Sequence, residues 1–257
     1  MKGAQWLIVD AGGFNAGAGT LNRFKAESIL EGLTKMGYHA INAAQRDFAH
    51  GALPLVEQSK KNGVPLISAN AYGEKGKRLL PAYRIVHLPS AGSSRELSIG
   101  VIGVSPPYEL TWQPPPGTEK ARFADPVPEV QSAVAVLRKQ CDVIVLLTFM
   151  TWAEAHELAE KVQGVHVVVV GNSGYQNQEA SLENGVLFLP GGRQGKLARV
   201  ATVQIDEKGV SSFTAKEKPL DDSFPDDPDM VAVLKEHEKR LEEWRASLMQ
   251  SPGVRPK

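Results

Sequence analysis

The chain has 257 residues, and its 29 Lys and Arg are matched by 29 Asp and Glu, so its formal net charge is zero. A balanced charge gives no long-range attraction to nucleic acid or to an anionic membrane, and we expect neither as a partner. The single cysteine, Cys141, excludes an internal disulfide. No apolar run reaches the roughly 18 residues of a membrane span, and the first residues lack the apolar core of a signal peptide.

Apolar runs alternate with amphipathic segments through the first half of the chain. WLIVDAGG predicts a strand, and LNRFKAESILEGLTKMG predicts a helix that ends at a glycine. Short strands at 39–42 and in VPLISAN flank a helix at 53–62, and AYRIVHLPS with LSIGVIGVS predicts a β-hairpin. The proline-rich stretch 106–116 excludes a helix or a central strand and predicts an ordered excursion in preference to a mobile loop.

The second half repeats this alternation. DPVPEVQSAVAVLRKQC and WAEAHELAEKVQG predict helices, while DVIVLLTF and VHVVVVGNS are uniformly apolar, as strands buried on both faces are. Two antiparallel strands with a turn at 207–209 follow. The pattern predicts a layered α/β sandwich. We assign residues 1–220 to this domain, 221–228 to a linker, 229–249 to a C-terminal amphipathic helix and 250–257 to a tail.

The C-terminal helix carries an apolar stripe with four- and three-residue spacing. We expect this stripe to pack on the domain's own surface; the alternative is self-association or a protein partner. The candidate interface combines the stripe with two aromatic residues of the proline-rich excursion. Its residues are Tyr108, Trp112, Leu234, Leu241, Trp244 and Leu248.

Seven blocks, in order and spacing, carry a family resemblance: DAGGF, GYHAINAAQRDFAHG, PLISAN, IGVIGV, DVIVLLTF, VVVVGNSG and LPGGRQGKLARV. Together they resemble the N-terminal domain of the 5'-nucleotidase-like branch of the calcineurin-like metallophosphoesterases. The resemblance implies a four-layer αββα sandwich with mixed sheets and a site at the carboxyl ends of the strands. It also extends to phosphoesterase-like domains joined to multihaem cytochromes, which implies such a partner and a periplasmic or extracytoplasmic location.

Carried over residue by residue, the resemblance implies that the metal ligands of the family are absent. The family's bridging aspartate falls on Gly13, its asparagine ligand on Gln45 and its catalytic histidine on Arg46. Its later histidines fall on Phe149, Asn172 and Gly174. Two adjacent divalent cations need carboxylate and imidazole ligands to offset their repulsion, and Arg46 adds a positive charge instead. We therefore expect no bimetallic centre and no cofactor.

Other polar residues near these blocks allow further interpretations. Asp10 is expected to cap a turn or to pair with a neighbouring group, and Asp47 to form an ion pair or to brace a loop. A weak anion pocket is a second hypothesis, built from Arg46, Asn70, Asn172 and Arg193. Three functions follow, in order of preference: a catalytically silent scaffold or interaction subunit, an anion- or nucleotide-binding domain, and a hydrolase whose metal ligands are rearranged or supplied from outside the chain.

Overall fold

The computed structural model describes residues 6–89, 96–107, 114–172, 178–192, 195–206 and 209–250. The helices are α1 (Thr20–Lys35), α2 (Ala52–Asn62), α3 (Pro126–Leu137), α4 (Trp152–Lys161) and α5 (Pro228–Gln250), with a short 3-10 turn at Gln45–Phe48. The strands are β1 (Val9–Asp10), β2 (Ala40–Asn42), β3 (Leu66–Ile67), β4 (Ala71–Tyr72), β5 (Tyr83–Pro89), β6 (Glu96–Val104), β7 (Arg122–Phe123), β8 (Val143–Thr148), β9 (Val167–Val170), β10 (Ser181–Glu183), β11 (Val186–Pro190), β12 (Leu197–Asp206) and β13 (Gly209–Pro219).

Two main sheets lie face to face between helices, which confirms the predicted αββα sandwich. The larger sheet has the order β10-β11-β9-β8-β6-β5, with four parallel strands in the middle and an antiparallel strand at each edge. The smaller sheet, β1-β2-β3, is parallel. The hairpin of β12 and β13 is antiparallel, and its Val203 and Phe213 pack on the same core as the smaller sheet.

Side chains of the central strands alternate between the two faces of the sheet, and this alternation explains the layers of the fold. On β8, Val145 and Leu147 enter the core between the two sheets, whereas Ile144 and Leu146 enter the core beneath α3 and α4. Every residue of β8 is buried. Side chains of a strand point alternately to opposite faces, so a strand covered on both sides must be apolar throughout. The uniformly apolar sequence is therefore a consequence of its central position.

The smaller sheet is covered on its outer face by α1 and α2. Leu30 and Leu33 of α1 and Leu55 of α2 pack with Ile41 of β2 and Leu66 of β3 in a third core cluster. This packing holds β2 and β3 from two sides, because Ala40 and Ile67 enter the core on the other face of the sheet. The carboxyl ends of these strands therefore have defined positions.

The C-terminal helix packs against α1, as the sequence predicts. The ring of Trp244 meets that of Phe24 edge to face at 6.2 Å, and His237 Nδ1 lies 3.0 Å from Ser28 Oγ. The predicted stripe is wrong at one position. Val233 is buried, while Leu234 is 60% exposed, because neighbouring residues lie about 100° apart around an α-helix and the side of Val233 faces the domain.

Leu241, Trp244 and Leu248 are half-buried, and α5 begins and ends one residue beyond the predicted bounds 229–249. Tyr108 and Trp112 lie outside the described residues. Among the described helices, none has both the length and the apolar composition to cross a bilayer.

Candidate functional site

Loops from both sheets meet at the carboxyl ends of β1, β2, β6 and β8. Asn42, at the end of β2, is fully buried and connects them. Its Nδ2 donates hydrogen bonds of 3.0 Å to the carbonyl oxygens of Ala11 and Val104. One amide thus joins the two sheets at this edge. Sequence reasoning missed Asn42, although a single polar residue that closes an apolar strand was a usable signal.

The loop after β1 is held by two carboxylates. Asp10 Oδ1 accepts a hydrogen bond of 2.7 Å from Gly12 N, which confirms the predicted turn cap. Asp47, only 3% exposed, accepts hydrogen bonds from the backbone N–H groups of Gly13, Asn15 and Ala44 at 2.8, 2.9 and 2.8 Å. Asp47 is therefore a loop brace, one of the two structural roles expected for it.

Burial changes the acidity of both carboxyl groups. It raises the pKa of Asp47 to about 7, although the three backbone N–H groups favour the ionised form. Burial also raises the pKa of Asp10, and the hydrogen bond from Gly12 opposes that shift. The negative charge of Asp10 adds a smaller upward shift to the pKa of Asp47.

An aromatic ring fills the space beside the glycine to which the resemblance assigns the bridging aspartate. Gly13 has a φ of +84°, and a Cβ placed on it would lie 2.1 Å from Cε2 of Phe149. Phe149 follows β8, at a position that the resemblance assigns to a histidine. A Cβ on Gly171 would likewise lie 2.8 Å from the Cβ of Ala11. Packed carbon atoms occupy this edge of the sandwich, with no room for longer side chains at 13 or 171.

Within the described part of the chain, the other residues at predicted motif positions do not form a set of metal ligands. Gln45 Nε2 donates a hydrogen bond of 2.6 Å to the carbonyl oxygen of Pro106. Arg46 is half-buried in the same 3-10 turn, and Asn172 is exposed after β9. Gly174 lies outside the described residues.

One residue of the predicted anion pocket, Asn70, belongs to the core instead. Asn70 is fully buried; its Nδ2 donates to the carbonyl oxygens of Ser105 and Ala124, and its Oδ1 accepts from Ser105 N. An amide with these bonds has a structural role, and we correct its assignment to the pocket. Arg193 lies outside the described residues, so Arg46 and Asn172 are the predicted pocket residues left in the described part.

The described residues do not fit a pair of metal ions at this edge. Neither Gly13 nor Phe149 has a side chain with a lone pair, and Asp47 is engaged by three N–H groups. Within the described ranges, no three residues among His, Cys, Asp and Glu are grouped so that they could hold a metal ion. Asp10 is the other nearby carboxylate, and it bonds its own turn.

The two sheets, the helices that cover them and the candidate edge at the carboxyl ends of the strands define a layered α/β sandwich domain. The chain is 28% identical to the 5'-nucleotidase of Vibrio cholerae over 152 residues, which cover 58% of this chain and 26% of the relative. It is 22% identical to the uncharacterized metallophosphoesterase YunD of Bacillus subtilis over 187 residues, which cover 70% of this chain and 38% of the relative. The chain thus spans well under half the length of these curated relatives.

Solved structures show the same architecture. The sulfate thiohydrolase SoxB of Thermus thermophilus superimposes with a TM-score of 0.77 at 22% identity, over 92% of this chain and 43% of that one. The calcineurin-like phosphoesterase YfkN of Bacillus subtilis gives a TM-score of 0.74 at 16% identity, over 93% and 84%. No model of a protein family matches the chain. The predicted resemblance is confirmed: this chain is similar in sequence to 5'-nucleotidases and metallophosphoesterases and has the calcineurin-like fold.

Proposed function

We propose that this chain is a catalytically silent metallophosphoesterase-like domain that serves as a scaffold or interaction subunit. One observation carries the proposal: the ring of Phe149 packs against the backbone of Gly13, where the resemblance places metal ligands. Paired divalent cations repel each other and are held only by ligands that supply negative charge and lone pairs. Glycine and phenylalanine have no side-chain group that supplies either. Arg46, which is permanently charged, adds a positive charge to the same loop.

The fold itself does not decide catalysis, because one fold carries many functions and the chemistry resides in the site. In a phosphoesterase of this type, metal ions activate water and offset the charge that develops on phosphorus. The described residues at this edge provide hydrogen bonds that hold loops instead. These contacts support a structural role for the domain and not a catalytic one.

Protein purified in the presence of Mn²⁺ or Zn²⁺ is expected to contain far less than one metal ion per chain by elemental analysis. It is also expected to leave bis(p-nitrophenyl) phosphate and AMP unchanged under conditions in which a purified 5'-nucleotidase hydrolyses AMP. The physical reason is the lack of neutralising ligands described above. Two bound metal ions per chain, or turnover that disappears with a chelator, would show that the domain is a hydrolase.

For the interaction role, we propose self-association or a protein partner on the outer face of α5. The inner face of this helix packs on α1, while Leu234 and Met249 are 60% and 89% exposed on the outer side. These two exposed apolar side chains are the ones that a partner surface on this helix would cover. On the basis of the resemblance, we propose a multihaem cytochrome as the partner. We also propose that the chain is located in the periplasm or elsewhere outside the cytoplasm.

Replacing Leu234 by glutamate is expected to abolish concentration-dependent association of the chain in sedimentation velocity runs. A charge at the centre of an apolar contact must lose its hydration, and that loss opposes association. Ala232→Glu is the matched control, because Ala232 is also exposed on α5. Unchanged association of the Leu234 variant, with a circular dichroism spectrum like that of the parent, would exclude this face from self-association.

A further inference from the structure

Two Asn-Gly dipeptides occur in the chain, Asn62–Gly63 and Asn184–Gly185, and a valine follows each of them. The backbone nitrogen that follows an asparagine can attack the side-chain amide carbon, and glycine, which lacks a Cβ, shields that nitrogen least. Both asparagines are exposed. The sequence therefore does not distinguish the two sites, and their folded surroundings decide which one can react.

The nitrogen of Gly63 is held by the helix that precedes it. Asn62 is the last residue of α2, and Gly63, with a φ of +64°, donates its N–H to the carbonyl oxygen of Ser59. Val64 N donates to the same carbonyl oxygen at 3.0 Å. An attack by Gly63 N therefore requires that nitrogen to leave its hydrogen bond and the last turn of α2 to open. Breaking one such bond first slows a reaction about tenfold.

The nitrogen of Gly185 is not held in this way. Asn184 and Gly185 form the turn between β10 and β11, and their φ angles of +50° and +80° are those of a type I′ turn. The pairing of Glu183 with Val186 closes this turn. Within the described part of the chain, no residue accepts a hydrogen bond from Gly185 N.

The peptide group between Asn184 and Gly185 can rotate while the turn stays closed. Type I′ and type II′ turns differ by a rotation of this central peptide group, and both keep the pairing of the flanking residues, here Glu183 and Val186. Gly185 O belongs to the next peptide group and accepts a hydrogen bond of 2.9 Å from Val210 N. Gly185 is thus anchored through its carbonyl oxygen, while its nitrogen can turn toward the side chain of Asn184.

We propose that Asn184 is a site of spontaneous covalent modification, at which the folded chain converts asparagine to aspartate and isoaspartate. Gly185 N forms a bond to Cγ of Asn184, its proton leaves with the side-chain nitrogen as ammonia, and a five-membered succinimide results. Water then opens the ring. Its addition at Cγ breaks the new bond and gives aspartate, whereas its addition at the backbone carbonyl carbon breaks the original peptide bond and gives isoaspartate.

Isoaspartate adds one carbon atom to the backbone of a turn that has only two central residues. Among the described strands, β10 pairs with β11 alone, over three residues, and Glu183 Oε1 lies 3.1 Å from His156 Nε2 of α4. The turn sets the register of a two-residue hairpin, so the longer backbone moves Glu183 out of register with Val186. The isoaspartate form therefore loses the pairing of β10. This modification uses no residue of the candidate site and is independent of the scaffold role.

Peptide mapping of the full chain tests the site. The folded chain, and the same chain unfolded in guanidinium chloride, are incubated at pH 8, and mass spectrometry follows the replacement of NH2 by OH at each asparagine. The unfolded chain is expected to react at similar rates at Asn62 and Asn184. The ratio of the folded to the unfolded rate is expected to be at least about tenfold larger at Asn184 than at Asn62. A smaller difference, or no product at Asn184 in the folded chain, would overturn the proposal.

Two variants connect the modification to β10. Asn184→Gly removes the reactive amide and keeps a residue that tolerates a positive φ, so its fold is expected to be preserved. Prolonged incubation is expected to accelerate amide hydrogen exchange of β10 in the parent and in the matched control Asn62→Gly, but not in Asn184→Gly. Equal acceleration in Asn184→Gly would assign the effect to another residue. Slow exchange of β10 in a parent that carries isoaspartate at position 184 would contradict the loss of pairing.

Discussion

Replacing Gly13 by alanine is expected to lower the free energy of unfolding by about 3 kcal/mol or more. Two costs add at this position. The φ of +84° disfavours any side chain, and the new Cβ would lie 2.1 Å from Cε2 of the Phe149 ring. Because the ring is wedged against backbone, relief requires the loop or β8 to move. Urea denaturation followed by circular dichroism measures the loss.

Gly37→Ala separates these two costs. Gly37 has a similar φ of +73° with nothing within 4 Å of an added Cβ, so its variant should lose only about 1 kcal/mol. The double variant Gly13→Ala with Phe149→Ala should be more stable than the sum of the single losses predicts, because the clash is removed. Equal losses at Gly13 and Gly37 would mean that Phe149 does not occupy this space.

Replacing Asp47 by alanine is also expected to cost about 3 kcal/mol or more, because three buried backbone N–H groups lose their acceptor. These donors belong to Gly13, Asn15 and Ala44, so the loop after β1 and the 3-10 turn should loosen together. Amide hydrogen exchange in this loop should accelerate along with the loss of global stability. Asp142→Ala, which removes the carboxylate that accepts from Ser98 N at a distant strand, is the control for loop exchange.

The raised pKa of Asp47 predicts how the stability of the protein changes with pH. Its pKa is about 7 in the folded protein, whereas that of a free aspartate side chain is 3.8. Between these values the folded state binds more protons than the unfolded state, so the contribution of Asp47 to stability falls as pH rises through this window. Asp47→Asn cannot titrate. The stability of the parent relative to Asp47→Asn should therefore be greater at pH 5 than at pH 8, and a constant difference would contradict the raised pKa.

Most elements could be predicted because their signals are local. The apolar runs of β8 and β9, the hairpin of β5 and β6, and the helix at the C-terminus follow from side-chain periodicity within a few residues. The stripe on α5 was misplaced at Leu234 because Val233 and Leu234 are both apolar. Only the packing against α1 decides which of the two is buried.

The candidate site was predicted less completely. The sequence indicated the loops that meet at the sheet edge and the turn cap at Asp10. It did not reveal the buried bonds of Asn42, or the three donors that converge on Asp47. Asn70 was assigned to a pocket because it follows a strand, yet its amide bonds the neighbouring loops. A residue type and its place at a strand end do not specify which groups surround it.

The sequence alone determined the class of fold and which loops reach the candidate edge, because the periods of strands and helices and the order of the blocks are written along the chain. Only the tertiary structure decided that Phe149 packs on Gly13, that Asp47 holds the loop after β1, and that Asn42 joins the two sheets. These contacts join residues far apart in sequence. Their existence depends on how the two sheets and the outer helices are placed, which no local pattern records.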